Sequence, residues 1–372
     1  MSRRRKILGG IAIALTVVFA AFALALSHNA PCATAEPPSG TASLMNASVA
    51  RCYGSPDVIR IEKIPKPVLA GDDEILIKVH AASVNPLDWR RLRGSPYVMR
   101  LGGGMGTPTM TRFGADFAGT VESVGASVTK FKPGDEVFGG TDGGLAQYIV
   151  KRAHESLAIK PANMTFEQAA AVNVAGITAL QALRDRGRVQ PGTTVLINGA
   201  SGGVGTFAIQ IAKSFGAEVT AVCSTRNLEL VRSLGADHVV DYTQADFASG
   251  EQRYDVIIDN VANRSMSDLR SVLEPDGRLV IIGGAHGNWI APFSLPLKAF
   301  VMTPFVDQEM GMMIARSTQQ DMQLLAELMA AGKLTPVIDR TYPLSESAEA
   351  IRYLETGRAR GKVVVIIPHD PA

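Results

Sequence analysis

Cysteine is scarce in this chain, with three in 372 residues: Cys32, Cys52 and Cys223. Their spacing fits no zinc-ligand pattern, and no pairing pattern marks a disulfide framework. Cys223 falls in a run that reads as a buried strand, where a thiol is an inert core group. An excess of one charge is missing as well. The 37 Lys and Arg nearly balance the 35 Asp and Glu, and Arg3, Arg4, Arg5 and Lys6 more than account for the net charge of +2. No nucleic-acid-binding face is therefore expected. There is no internal repeat and no long low-complexity tract. What the chain does have is 46% hydrophobic and only 19% charged residues, the make-up of a folded protein with a large core. Its length suits two intimately joined domains and an appendage.

The appendage is N-terminal. Residues 7–26 carry no charge and only Thr16 as a polar side chain. A run of about twenty such residues is long enough to cross a bilayer. The basic quartet before it would keep the N-terminus in the cytoplasm and send the rest across. Residues 1–26 are thus expected to be a membrane anchor or export signal, with a linker over 27–44. Arg4, Arg5 and Lys6 approximate a twin-arginine signal, and Ala33, Thr34 and Ala35 offer a small-residue cleavage site. Translation from Met45 would instead give a cytosolic protein. Membrane attachment and export are the outcomes the full chain favours.

A strand, a tight turn and a helix start meet in the middle of the chain. Thr194 to Asn198 is an apolar run, followed by Gly199-Ala200-Ser201-Gly202-Gly203-Val204-Gly205 and an amphipathic segment through Lys213. Glycines admit a pyrophosphate close to the backbone, and free amides at the helix start point at its charge. Gly199, Ser201, Gly202, Gly203, Val204 and Gly205 are the candidate phosphate-binding residues. About twenty residues on, at the end of the next strand, an NAD site would place an acid for the ribose hydroxyl. This chain places Ser224, Thr225 and Arg226 there, which suit a 2′-phosphate and so NADPH. Further apolar runs at 238–242, 255–260 and 278–284 read as parallel strands covered on both faces. Tyr242, Asn260, Gly283 and Gly284 stand at their carboxyl ends, where ligands bind in such sheets.

The flanking sequence is punctuated by Gly and Pro and reads as a compact β-barrel-like domain. It contains the turn Val84-Asn85-Pro86, the stretch from Gly114 through Asp116 and Phe117 to Gly119, and Lys132-Pro133-Gly134-Asp135. The chain closes on Gly361-Lys362-Val363-Val364-Val365. In combination with the glycine-rich loop, these motifs resemble the medium-chain dehydrogenase/reductases. The likeness is to their zinc-independent quinone oxidoreductase branch, near the group of the reticulon-interacting mitochondrial reductases, and covers residues 45–367. It implies an α/β architecture with a GroES-like catalytic domain over 45–172 and an inserted Rossmann domain over 173–315. Residues 316–372 would return to the catalytic domain, and paired Rossmann sheets would form a homodimer.

The resemblance also frames the chemistry. Zinc-dependent relatives hold their metal through Cys, His and a third Cys or Asp. Here the first position falls at Asn85 or its neighbour, the Gly-His-Glu stretch becomes Gly114-Ala115-Asp116, and the cysteine cluster is missing, so no metal is expected. His80 reads as a structural histidine. The expected activity is NADPH-dependent hydride transfer to a quinone, enone or similar small hydrophobic electrophile. Asn85 and Asp88 would position substrate or nicotinamide, although Asp88 reads equally as a turn cap. Tyr97 is a candidate proton donor, and no essential acid stands out. A carbonyl or alcohol dehydrogenase is the alternative within enzymes, and a non-catalytic NADPH-binding regulator at the membrane is the alternative outside them. The methionine-rich stretch 289–329 suits a core or dimer contact better than a quinone surface. The glycines at 102–106 read as a flexible loop near the cleft.

Overall fold

A computed structural model describes residues 3–34, 43–284 and 287–369, with side chains from Ile13 onward. Fifteen strands are present among them: β1 (Leu44–Val49), β2 (Arg60–Pro65), β3 (Glu74–Val84), β4 (Asp116–Val124), β5 (Glu136–Gly140), β6 (Tyr148–Arg152), β7 (Leu157–Ile159), β8 (Thr194–Asn198), β9 (Glu218–Cys223), β10 (His238–Asp241), β11 (Tyr254–Asp259), β12 (Leu273–Ile281), β13 (Glu309–Met312), β14 (Ile338–Pro343) and β15 (Lys362–Ile366). One sheet runs β14-β15-β3-β4-β5-β7, with β6 also paired to β3. Apart from the parallel pair β14 and β15, its strands are antiparallel. β1 and β2 form a separate antiparallel pair, and the third sheet is wholly parallel in the order β10-β9-β8-β11-β12-β13. That order reverses at β8, the topological switch point where α/β sheets bind ligands.

Burial explains the strand composition. Val195, Leu196 and Ile197 of β8 and Val256, Ile257 and Ile258 of β11 are fully buried. Helices on both faces exclude water, so these strands are continuously apolar. Each fully buried aliphatic side chain contributes roughly 1.5–3 kcal/mol of transfer free energy. β15 returns the chain to the catalytic sheet against β3, with Val363 opposite Val84. Met310, Met313, Met322 and Met329 are core residues, whereas Met312 lies exposed on the edge strand β13. The His80 ring lies tilted against that of Phe166, with its Nε2 2.9 Å from the Thr120 hydroxyl.

Several expectations are corrected. Among the described residues no helix is long and apolar enough to cross a membrane, which overturns the spanning segment expected over 7–26. The N-terminal helix Arg3–Ser27 instead ends on protein. Leu26 is buried, and the guanidinium of buried Arg100 donates 2.9 Å hydrogen bonds to the carbonyls of Leu26 and His28. Ala30 N–H continues the contact onto Gly106 O. The cleavage site proposed at 33–35 extends past the described residues. Cys32 and Cys52 form a disulfide, against the expectation of no pairing. Cys223 remains a buried free thiol, and burial pushes its pKa up to about 11. The sheet also has a sixth parallel strand, β13, that local sequence did not mark. β12 begins at Leu273, ahead of the 278 start expected.

Candidate active site

The nucleotide side of the site is built at the switch point. β8 ends at Asn198, and Gly199 turns the chain with φ +75°, a conformation that favours glycine. Gly202 caps the helix Gly203–Ser214, whose first amides have no carbonyl partner within the helix. Gly205 packs so closely that a Cβ there would lie 2.4 Å from the Gly199 carbonyl oxygen. No other residue fits without moving the turn. Asn227, missed in the sequence, donates through Nδ2 to Ser201 Oγ at 2.9 Å and to Ser224 Oγ at 3.2 Å. It therefore braces the loop against the end of β9.

Farther along that edge, Thr225 and Thr243 hydroxyls both bond the Asp241 carboxylate, which holds it below its ordinary range. Arg226 is exposed and donates to the Arg358 carbonyl at 2.8 Å. Tyr242, at the end of β10, is exposed. Asn260 follows β11 and donates to Asn198 O at 2.9 Å, while its Oδ1 is buried without a partner among the described protein atoms. A Cβ at Gly283 would sit 2.1 Å from Asn260 O, so the chain closes in there only as glycine. A free helix N-terminus, a close-packed glycine turn and an orphaned amide oxygen fit a dinucleotide across this crevice.

The catalytic side is a buried polar cluster. Asn85 precedes the helix Pro86–Arg93, and Asp88 caps it by accepting the Asn85 N–H at 2.7 Å. The other Asp88 oxygen accepts Gly114 N–H at 2.9 Å. Burial, helped by the nearby Asp116 charge, raises the Asp88 carboxyl to about 6 against those two hydrogen bonds. Both Asp88 oxygens are thus committed to backbone. Asn85 instead uses its side chain within the cluster, with Nδ2 3.0 Å from Asp116 Oδ2. Lys362 approaches the same carboxylate oxygen at 3.0 Å and the Asn85 carbonyl oxygen. Ser83 Oγ, Asn173 Nδ2 and Val174 N–H complete the donors around Asp116.

Lys362 and Asn173 were not recognised as site residues in the sequence. The one available signal was a charged residue opening an apolar strand. Tyr97 lies at the seam between the two halves. Its ring meets Trp289 edge-on at 4.9 Å, and its N–H donates to Asn288 O at 2.7 Å.

This donor set does not suit a metal. An ammonium has only donors, and here it occupies the space between the amide and carboxylate oxygens that could have been ligands. Among the described residues no group of three or more His, Cys, Asp or Glu could hold a metal ion.

Two sequence profiles match: residues 71–162 fit one described as an alcohol dehydrogenase GroES-like domain, and residues 234–365 one described as a zinc-binding dehydrogenase. The mitochondrial NAD(P)H oxidoreductase RTN4IP1 of Mus musculus is 34% identical over 369 residues, spanning 88% of this chain and 90% of that protein. The chloroplastic NADPH-dependent alkenal/one oxidoreductase of Arabidopsis thaliana is 36% identical over 337 residues, spanning 86% and 79% respectively. The solved structure of the quinone oxidoreductase from Coxiella burnetii superposes with a TM-score of 0.76 at 30% identity, covering 88% of this chain and all of that one.

Proposed function

The chain belongs to the medium-chain dehydrogenase/reductase family, close to its quinone oxidoreductases, and from that premise we propose that it reduces a quinone or enone with NADPH. It is an oxidoreductase that uses a nicotinamide cofactor. The observation that carries the finer reading is the meeting of the Gly199–Gly205 turn with the Asn85, Asp116 and Lys362 cluster, where no metal site fits. Bound cofactor supplies the hydride, and the protein supplies position and electrostatics.

In this reading Gly203, Val204 and Gly205 amides take the pyrophosphate. Ser224 and Arg226 take the 2′-phosphate through a hydroxyl and a guanidinium, with Tyr242 alongside, while the Thr225 hydroxyl is spent on Asp241. Asp241 accepts two threonine hydroxyls and stands at the end of β10 rather than of β9, where an NAD site places its ribose-binding acid. Asn260 and Gly283-Gly284 border the nicotinamide half. Without a Lewis acid to lower an alcohol's pKa, reduction of an activated double bond is favoured over alcohol oxidation. The Arabidopsis relative is named for alkenals and the Coxiella one for quinones, which supports the same acceptor class.

A second copy is the proposed partner. β13 leaves one edge of the parallel sheet unpaired, and Phe300, Phe305 and Ile314 nearby are highly exposed. The activity is tested by following NADPH and NADH oxidation with 1,4-naphthoquinone, a short enal and a simple ketone. Turnover with NADPH and a quinone or enal supports the reading. Tight NADPH binding with no turnover on any of the three sinks it.

A further inference from the structure

We infer that Lys362 is a positioning residue that fixes which end of the Asn85 amide faces the acceptor; this rests on the oxidoreductase reading above. Lys362 opens β15 and is 3% exposed, while Asp116 is 0% and Asn85 2% exposed. Its Nζ pairs with Asp116 Oδ2 at 3.0 Å and bonds Asn85 Oδ1. Its methylene stem lies over the phosphate-loop helix, since a Cβ built on Gly203 would be 3.3 Å from Lys362 Cδ. One side chain therefore touches both the nucleotide loop and the catalytic turn.

Stability is a poor reason to bury this pair. Desolvating two charges is costly, and apolar replacements of such pairs are often neutral or stabilising. Orientation is a better one. An ammonium only donates and a carboxylate only accepts. The ammonium must therefore meet Asn85 Oδ1, and the carboxylate must meet Nδ2. With both ends engaged, the amide is held against flipping, and its one uncommitted donor is the second Nδ2 proton.

A fixed donor is what the reaction needs at this turn. When hydride reaches the acceptor carbon, the displaced electron pair moves through the conjugated system onto the acceptor oxygen. The Asn85 N–H would stabilise that oxygen, and solvent supplies the proton afterwards. A flipped amide would present a carbonyl oxygen to the growing negative charge and oppose it. Lys362 acts through Asn85 and need not touch the acceptor.

The test uses the full chain and four variants: Lys362→Met, Asn85→Ala, the double Asn85→Ala/Lys362→Met, and Lys362→Met/Asp116→Asn, which leaves no unpaired buried charge and guards against misfolding. NADPH affinity is read by cofactor fluorescence and turnover with 1,4-naphthoquinone. We expect Lys362→Met/Asp116→Asn to bind NADPH within about threefold of the unaltered chain, with kcat lowered roughly 100-fold. We also expect Lys362→Met to add less than about threefold to the loss in Asn85→Ala, because both remove one interaction. Multiplicative losses, or a kcat within about threefold of the unaltered chain in Lys362→Met/Asp116→Asn, overturn the inference while leaving the oxidoreductase reading intact. An unaltered chain that binds NADPH but reduces no acceptor overturns both.

Discussion

The carboxylate of Asp88 accepts the backbone N–H of Gly114 at 2.9 Å, tying the helix after the catalytic turn to the segment that leads into β4. Burial raises this carboxyl to about 6 in the folded protein from 3.8. The folded state thus binds the proton more tightly than the unfolded one. The stabilisation is full below pH 4 and is lost as pH rises through about 6, a swing on the order of 3 kcal/mol. Asp88→Asn should remove this dependence. Between pH 4 and 7 the melting temperature of the unaltered chain should fall relative to that of the variant; a constant offset would refute the assignment.

Gly205→Ala should abolish NADPH binding before it abolishes folding. The added Cβ would sit 2.4 Å from Gly199 O, so the turn must open and its amides must turn away from the phosphates. A loss of affinity of at least about tenfold is expected, with circular dichroism retained. Titration calorimetry with NADPH checks it, and unchanged affinity would remove this loop from the cofactor site.

Arg226→Ala should weaken NADPH by about 1.5–3 kcal/mol and leave NADH nearly unaffected, because only the former brings a 2′-phosphate to a guanidinium. Equal losses for the two cofactors would place Arg226 outside the 2′-phosphate site.

Cys32→Ser with Cys52→Ser should lower stability by up to about 3 kcal/mol, the chain-entropy value for a cross-link spanning 20 residues. Thermal melts with and without a thiol reductant should give the same difference in the unaltered chain. If neither treatment moves the melting temperature, the cross-link does not constrain the unfolded chain.

Local features were legible in the sequence; long-range ones were not. The β8 turn and its helix are contiguous, so apolar run, glycines and amphipathic period all point one way. β13 was invisible because Glu309, Met310, Gly311 and Met312 have little strand character of their own; they are extended because they pair with β12. Pro275 and Gly277 hid the start of β12. Lys362 and Asn85 are 277 positions apart, and only the return of β15 beside β3 brings them together. Cys32 and Cys52, 20 positions apart, are likewise joined only by tertiary folding. The apolar run at 7–26 suggested lipid because sequence could not show that its far end has a protein partner in Arg100.

That last contact changes what a shortened chain would be. Arg100 is almost fully buried, and its guanidinium spends its donors on four carbonyls: Leu26, His28, Arg93 and Gly94. Two of these belong to the upstream segment, and the same cation lies over the rings of Tyr53 and Tyr97. Tyr97 in turn leans on Trp289 of the nucleotide half. A chain begun at Met45 would leave a buried cation with half of its acceptors, next to the residues that join the two halves of the cleft. The upstream segment thus acts as an intramolecular ligand for the catalytic unit. Adding the peptide covering residues 24–34 back to the shortened chain is the natural complementation experiment.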